Sequence, residues 1–361
     1  MQLLEKDLIG QKEFPAISIV VPTHPQYPAF KLDREHMIDL VSQVQSQLHD
    51  RYSKQKTEEM MRRLHDTVDE INYTQLSEGL AIYVSPHHAR LVQLPFNVTE
   101  KVVVDDSFEV RDLVYSVKLN KQFLLVAITK NGVRTSMVYG KIFFPVVFKD
   151  MPDNIADVTN NHSLPGWEYL DTKAYNEKNI RNFLRLIDHA VHQALGNSDT
   201  PIVFMGDKKF LGYIKAQSAN ERNTIGFVEG NYEHATSPQL RKLLEPILDK
   251  VNQEVEEKSL LSLASAVSKG SYAAGVEEVW RAVTEGQCRL LLVEKDYVQP
   301  AYFREDGMSI HVDQLLPGSH RNISDAVDDL IEMVLRSKGD IQFVSNGRLT
   351  DFQKIAVVKY Y

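Results

Sequence analysis

Apolar-rich runs and helical repeats succeed one another along the chain, and their order predicts its elements. Residues 17–21 form an apolar-rich run closed by Pro22, the pattern of a buried strand. Met37, Val41, Val44 and Leu48 recur at helical spacing, as do Met61, Leu64, Val68 and Ile71. Two amphipathic helices joined near Tyr52 as a hairpin are expected. Residues 80–84 and 91–94 predict paired strands around the turn Ser85-Pro86-His87-His88-Ala89, and 102–104 predicts a further strand before a boundary near Val117.

Farther on, 123–129 and 133–139 flank Asn131-Gly132, a pair that favours the positive φ angles of a tight hairpin turn. Residues 143–148 add a strand, and the polar stretch 150–172 shows no apolar period, so a long loop is expected, a type of segment that tends to be functional. Ile180, Phe183, Leu184, Ile187 and Val191 mark a helix and 202–205 a buried strand. Ser237-Pro238 supplies a cap and first-turn proline for a helix carrying Leu240, Leu244 and Leu248. In the last third, helices over 275–285 and 325–335 alternate with strands over 290–293, 341–344 and 355–358. This order reads as α/β and α+β domains, three in series: 1–118, 119–255 with a mixed sheet and helices, and 256–361.

Composition narrows the class. The chain has 361 residues, above the usual size of one domain, about 100–200. With 43% apolar and 25% charged residues it is ordinary globular material rather than disordered or fibrous. The longest apolar stretch, 142–148, contains Pro145 and is far below the roughly 20 residues of a membrane span. Its first residues lack the basic start and apolar run of a secretory signal, and a lone cysteine, Cys288, can form no internal disulfide. The reducing cytoplasm is the expected compartment. Net charge is −8, which argues against a nucleic-acid binder over its whole surface. That charge is uneven: 13 basic and 18 acidic residues in 1–118, 16 and 15 in 119–255, and 12 and 16 in 256–361.

No Cys/His cluster, phosphate-cradling glycine loop, zinc-protease motif or nucleophile elbow occurs, so no cofactor or metal is expected. Asp105-Asp106 and Asp328-Asp329 read as turn and helix-surface acids. Lys178, Arg181 and Arg185 fall at i, i+3 and i+7 and line one helix face, which could track RNA phosphates or be an ordinary solvated face beside Glu177 and Asp188. In the loop, Asn160, Asn161, His162, Trp167 and Tyr169 are groups that stack on and hydrogen-bond to splayed bases, although Trp167 equally suits an anchor of the loop on its own domain. Tyr52, Ser53 and Lys54 in the helical turn, and His87, His88 and Arg90 at the hairpin tip, are further RNA-contact candidates. Two adjacent histidines without a third ligand do not make a metal site. Val276, Val279, Trp280 and Val283 pattern as a helix packed on its sheet.

The stretch GVEEVWRAVTEGQCRLLLVEKD from Gly275, the closing IAVVKYY from Ile355 and GFVEGNYEHATSPQL from Gly226 resemble the archaeo-eukaryotic release factor and Pelota family, in its bacterial branch. The resemblance extends over the whole chain in the same domain order and implies an L7Ae-like α/β/α third domain. Release factors carry Gly-Gly-Gln in the middle-domain loop, where it directs a water in peptide release. Here DMPDNIADVTNNHSLPGWEYLDT from Asp150 has no adjacent glycines and no glutamine. The stop-codon motif Asn-Ile-Lys-Ser is likewise missing, the matching turn being HDRYSKQK from His49. The resemblance therefore implies a monomeric, non-enzymatic ribosome-binding factor, with no membrane or DNA partner. It would fill the vacant A site, with Tyr52, Ser53, Lys54, His87, His88 and Arg90 on small-subunit rRNA at the decoding side. Asn160, Asn161, His162, Trp167, Tyr169, Lys178, Arg181 and Arg185 would face the large subunit, and the acidic third domain elongation factor Tu with GDP. The alternatives are a rescue factor hydrolysing peptidyl-tRNA through a residue such as His162, and a Pelota-like quality-control adaptor.

Overall fold

A computed structural model describes residues 8, 14–24, 30–119, 122–129, 131–140, 142–159, 172–232, 234–303, 309–312 and 321–360. They fall into two compact units: Met1–Leu119 with Val255–Tyr361, and Asn120–Glu254.

The first section is an antiparallel sheet of β1 (Ala16–Pro22), β2 (Gly79–Val84), β3 (Ala89–Leu94) and β4 (Lys101–Asp105), in the order β3-β2-β1-β4. Helices α1 (Phe30–Arg51) and α2 (Lys54–Asp69) lie between β1 and β2 in sequence, and α3 (Arg111–Leu119) follows β4. Successive strand residues point to opposite faces, and here both faces are buried. Ile17, Ile19, Leu80 and Ile82 pack with Met37, Leu40, Val44 and Leu64 of the helical hairpin. Ala16, Val20, Ala81 and Tyr83 instead join a core containing Val276, Val279, Trp280, Leu330 and Ile331 from the last third of the chain.

In the Asn120–Glu254 unit, β5 (Phe123–Ile128), β6 (Val133–Tyr139), β7 (Ile142–Pro145), β8 (Ile202–Gly206) and β9 (Thr224–Glu229) form one sheet, β7-β6-β5-β8-β9. β5, β8 and β9 are parallel, while β6 and β7 run antiparallel. Parallel strands require cover on both faces. Leu124, Val126, Ile202 and Phe204 meet helices α5 (Thr172–Leu195) and α6 (Lys208–Gln217), and Phe123, Leu125, Val203 and Met205 meet Leu240 and Leu244 of α7 (Ser237–Lys269). At the end of β8 a Cβ on Gly206 would stand 2.6 Å from the Ile128 carbonyl oxygen, so only glycine lets these strands close.

The last section carries a second mixed sheet, β10-β16-β11-β15, made of β10 (Tyr272–Ala274), β11 (Cys288–Glu294), β15 (Asp340–Val344) and β16 (Ile355–Lys359). α8 (Val276–Thr284) and α9 (Ala326–Arg336) cover one face, and Leu263 and Ala266 from the end of α7 cover the other. A small sheet of β12 (Ala301–Phe303), β13 (Ile310–His311) and β14 (Arg321–Ile323) completes it.

Several expectations change. The stretch 150–172 is not all loop: α4 (Ile155–Thr159) forms within it, its first turn held by Asn154, whose Oδ1 accepts the Ala156 N–H at 2.8 Å. The hairpin 123–139 forms, yet Gly132 does not adopt a positive φ. What Gly132 supplies is closeness, since a Cβ there would lie 3.0 Å from the Asp153 carbonyl. The strand expected over 143–148 ends at Pro145. α7 runs unbroken through residue 255, where a domain boundary was expected, and the residue capping it is Thr236, whose N–H donates to Gln239 Oε1 at 2.9 Å, rather than Ser237. Helices α3 and α6 and strand β9 were not among the expected elements. Asp328, read as a helix-surface acid, is only 4% exposed.

Candidate nucleic-acid interface

Helix α5 is amphipathic in the simplest sense. Phe183, Leu184, Ile187 and Val191 are buried against the sheet, which turns Lys178, Arg181 and Arg185 to solvent. Arg181 lies over the Tyr213 ring of α6 at 5.1 Å, a cation–π contact. Arg185 donates to Asn182 Oδ1 at 3.0 Å. Between the two helices opens a notch of about 140 Å³, lined by Arg181, Leu184, Arg185, Asp188, Tyr213, Ile214, Gln217 and Ser218.

Asp188, 7% exposed, is the carboxylate in that lining, and it is fully engaged. Its Oδ1 accepts from Ser218 Oγ at 2.5 Å and Asn220 Nδ2 at 2.8 Å, and its Oδ2 accepts the Ala219 N–H at 2.7 Å. This staples the end of α6 to α5. Neighbouring cations have partners: Lys209 pairs with Glu177 at 3.1 Å, and Lys215 lies 4.7 Å over the Phe227 ring. Among the described residues, Lys178, Arg181 and Arg185 form no ion pair.

Asn160, Asn161, His162, Trp167 and Tyr169 lie outside the described residues. In the first section, Tyr52 is half-buried, edge-on to Phe14 at 5.1 Å, with Lys56 Nζ 5.5 Å from its ring. Burial raises its hydroxyl pKa. Ser53 and Lys54 are exposed at the start of α2. The hairpin tip is closed by Ser85, whose Oγ accepts the His88 N–H at 2.9 Å, leaving His87 and Arg90 exposed. Arg63 Nε donates to the Ser85 carbonyl at 2.9 Å, so the tip packs about 14 Å along α2 from Lys54. The two first-section groups are thus not gathered at one point.

A second charged region was not foreseen. In the unit shared by the first and last sections, Asp325 caps α9, its Oδ1 accepting the Val327 N–H at 3.0 Å, while its Oδ2 receives Arg111 Nη2 at 2.5 Å. Asp328 returns the arrangement. It accepts the N–H groups of Val110 and Arg111, at 3.3 and 2.7 Å, capping the start of α3 from a distant part of the chain. Burial, reinforced by the Asp325 charge, pushes Asp328 up to about 7, and burial with the Asp328 charge holds Glu109 well above the usual carboxylate range. These groups border a cavity of about 190 Å³ whose lining also includes Asp105, Asp106 and Trp280. A sequence signal existed for Asp328: it is three residues before Ile331, at the edge of α9's apolar stripe. For Tyr213 the signal was the apolar spacing of Phe210, Leu211 and Ile214 around it.

Elsewhere little suggests chemistry. Cys288 is buried and its thiol is pushed up to about 12, so it is held as the unreactive thiol. Among the described residues no group of three or more His, Cys, Asp or Glu side chains is placed to hold a metal ion, and no helix is long and apolar enough to cross a membrane.

Residues 122–287, which include the notch, match the model of Bacterial archaeo-eukaryotic release factor family 3. Over these residues the chain is similar to the bacterial archaeo-eukaryotic release factor family. Among solved structures, the Archaeoglobus fulgidus Pelota crystal structure is 13% identical over 78% of this chain and 79% of that one, with a TM-score of 0.37. A model of ribosome-bound archaeal Pelota and ABCE1 is 17% identical over 77% and 72%, with a TM-score of 0.39. The archaeal translation termination factor aRF1 is 13% identical over 100% and 96%, with a TM-score of 0.25. No curated protein matches the chain.

Proposed function

We propose that this protein is a ribosome hibernation factor, resembling Balon, that occupies the vacant A site together with elongation factor Tu and GDP and does not hydrolyse peptidyl-tRNA. The observation that carries the reading is the 150–172 segment. In a chain similar to release factors it has one glycine, no glutamine and therefore none of the Gly-Gly-Gln by which release factors direct a water. A hydrolase needs a group positioned to orient that water and move its proton. Binding without release is what remains, and the exposed Lys178, Arg181 and Arg185, which form no ion pair among the described residues, supply a surface suited to rRNA. The acidic last section, with 12 basic and 16 acidic residues, suits a protein partner with a basic surface.

Co-sedimentation tests the reading: the protein should pellet with vacant ribosomes at low salt, and more completely with elongation factor Tu and GDP. A protein that stays in the supernatant overturns it. Peptide release from programmed ribosomes, lost in His162→Ala, would establish the rescue-factor alternative, and dissociation of ribosomal subunits the quality-control adaptor.

A further inference from the structure

We propose that the notch between α5 and α6 is a seat for one backbone phosphate of an RNA strand, gripped by Arg181 and Arg185. The inference deepens the ribosome-binding reading and rests on it only for the source of the RNA.

Three observations converge. Arg181 lies over Tyr213, its Cζ 5.1 Å from the ring centroid, and forms no ion pair among the described residues, so its N–H groups, which match phosphate oxygens in pairs, have no carboxylate to serve. Arg185 stands one helical turn away on the same face, where like charges repel, and its one hydrogen bond is to a neutral amide, Asn182 Oδ1. Such a pair is stabilised by an anion between its members. Finally, the carboxylate in the notch lining does not serve: Asp188 is saturated by Ser218, Ala219 and Asn220. Lys209, by contrast, is neutralised by Glu177. The 140 Å³ opening has room for a phosphate group, and Gln217 offers an amide donor on the opposite wall. An acidic peptide would meet the same two arginines as carboxylates. The aromatic ring of Tyr213 beside Arg181 favours a nucleic-acid strand, whose sugar and base have faces to lay against such a ring.

The test uses the full chain and a fluorescein-labelled single-stranded RNA oligonucleotide, with anisotropy followed across a salt series. Arg181→Gln with Arg185→Gln should weaken binding about tenfold and flatten the log–log salt dependence by about 0.7 for each phosphate that is no longer neutralised. Tyr213→Phe, which keeps the ring, should bind as the parent does, and Tyr213→Ala about threefold more weakly. Lys242→Gln with Lys250→Gln removes the same charge elsewhere and should change little. An equal loss in that control, or no loss in the notch variant, overturns the proposal. So does polyglutamate displacing the RNA as well as unlabelled RNA does. Displacement of the RNA only by inorganic phosphate, with no response to competing RNA, marks a free-anion site and also overturns it. All of these side chains lie on exposed or half-exposed surface, and melting curves identify any variant that fails to fold. Ribosome co-sedimentation separates the two claims. If the parent pellets and the notch variant pellets equally well, the notch is wrong and the ribosome reading stands. If the parent does not pellet, the ribosome reading fails while the oligonucleotide data still judge the notch.

Discussion

The seam between the first and last sections and the notch of the middle unit use the same materials, arginines and carboxylates carried near helix ends and faces, to opposite ends. At the seam Arg111 is 4% exposed and two carboxylates answer donors: Asp325 takes Arg111 and caps α9, and Asp328 caps α3. In the notch the carboxylate is the satisfied group and the arginines are left over. Charge that is buried must be matched, because an unpaired ion in the interior costs several kcal/mol. Exposed charge can stay unmatched, and there it is free to meet a ligand. The seam therefore holds structure together, and the notch is where the proposed recognition would take place.

The largest effect should come from breaking the seam. Arg111→Ala strands Asp325 in the interior and should lower unfolding free energy by about 3–5 kcal/mol, measured by urea denaturation. A loss below about 1 kcal/mol would show that water already solvates the pair and would erase the contrast. Next is the effect of pH. Asp328 is raised in the folded state above its unfolded value, to about 7, so the stability it contributes is complete below about pH 4 and disappears as pH rises through 7. Glu109 shifts in the same direction. Thermal unfolding should thus show a more stable protein at about pH 5.5 than at about pH 8, by on the order of 2 kcal/mol, with the difference reduced in Asp328→Asn. A flat or inverted profile would mean that the backbone donors at Val110 and Arg111 outweigh burial. The smallest effect sharpens the other side: Lys178→Ala should leave stability within about 0.5 kcal/mol while lowering the salt slope of ribosome or RNA binding by about 0.7.

How much of this could be read from residues alone follows from what periodicity records. The helical hairpin, the paired strands over 80–94 and the 123–139 hairpin are local, and their apolar spacing announces them. The exposed row Lys178, Arg181 and Arg185 was also legible, because the position of a side chain on an amphipathic helix follows from its spacing to Phe183 and Ile187. What could not be read is what crosses the chain. Asp328 looked like a surface acid since its partners, Val110 and Arg111, lie more than 200 residues away in sequence. Tyr213 gained meaning only when α6 set it beneath Arg181. The Asn131-Gly132 turn was found for the wrong reason, since Gly132 is needed to approach Asp153 closely rather than for a positive φ.

Ala16, Val20 and Tyr83 share one interior with Val279, Trp280 and Leu330, so the two ends of the polypeptide complete each other, and residues 120–254 stand to them as an insertion stands to its host. Closing a longer loop costs only slightly more entropy than closing a shorter one. A flexible tether in place of the inserted part should therefore still allow the outer pieces to fold, and the same pieces made as separate polypeptides should find each other and reassemble.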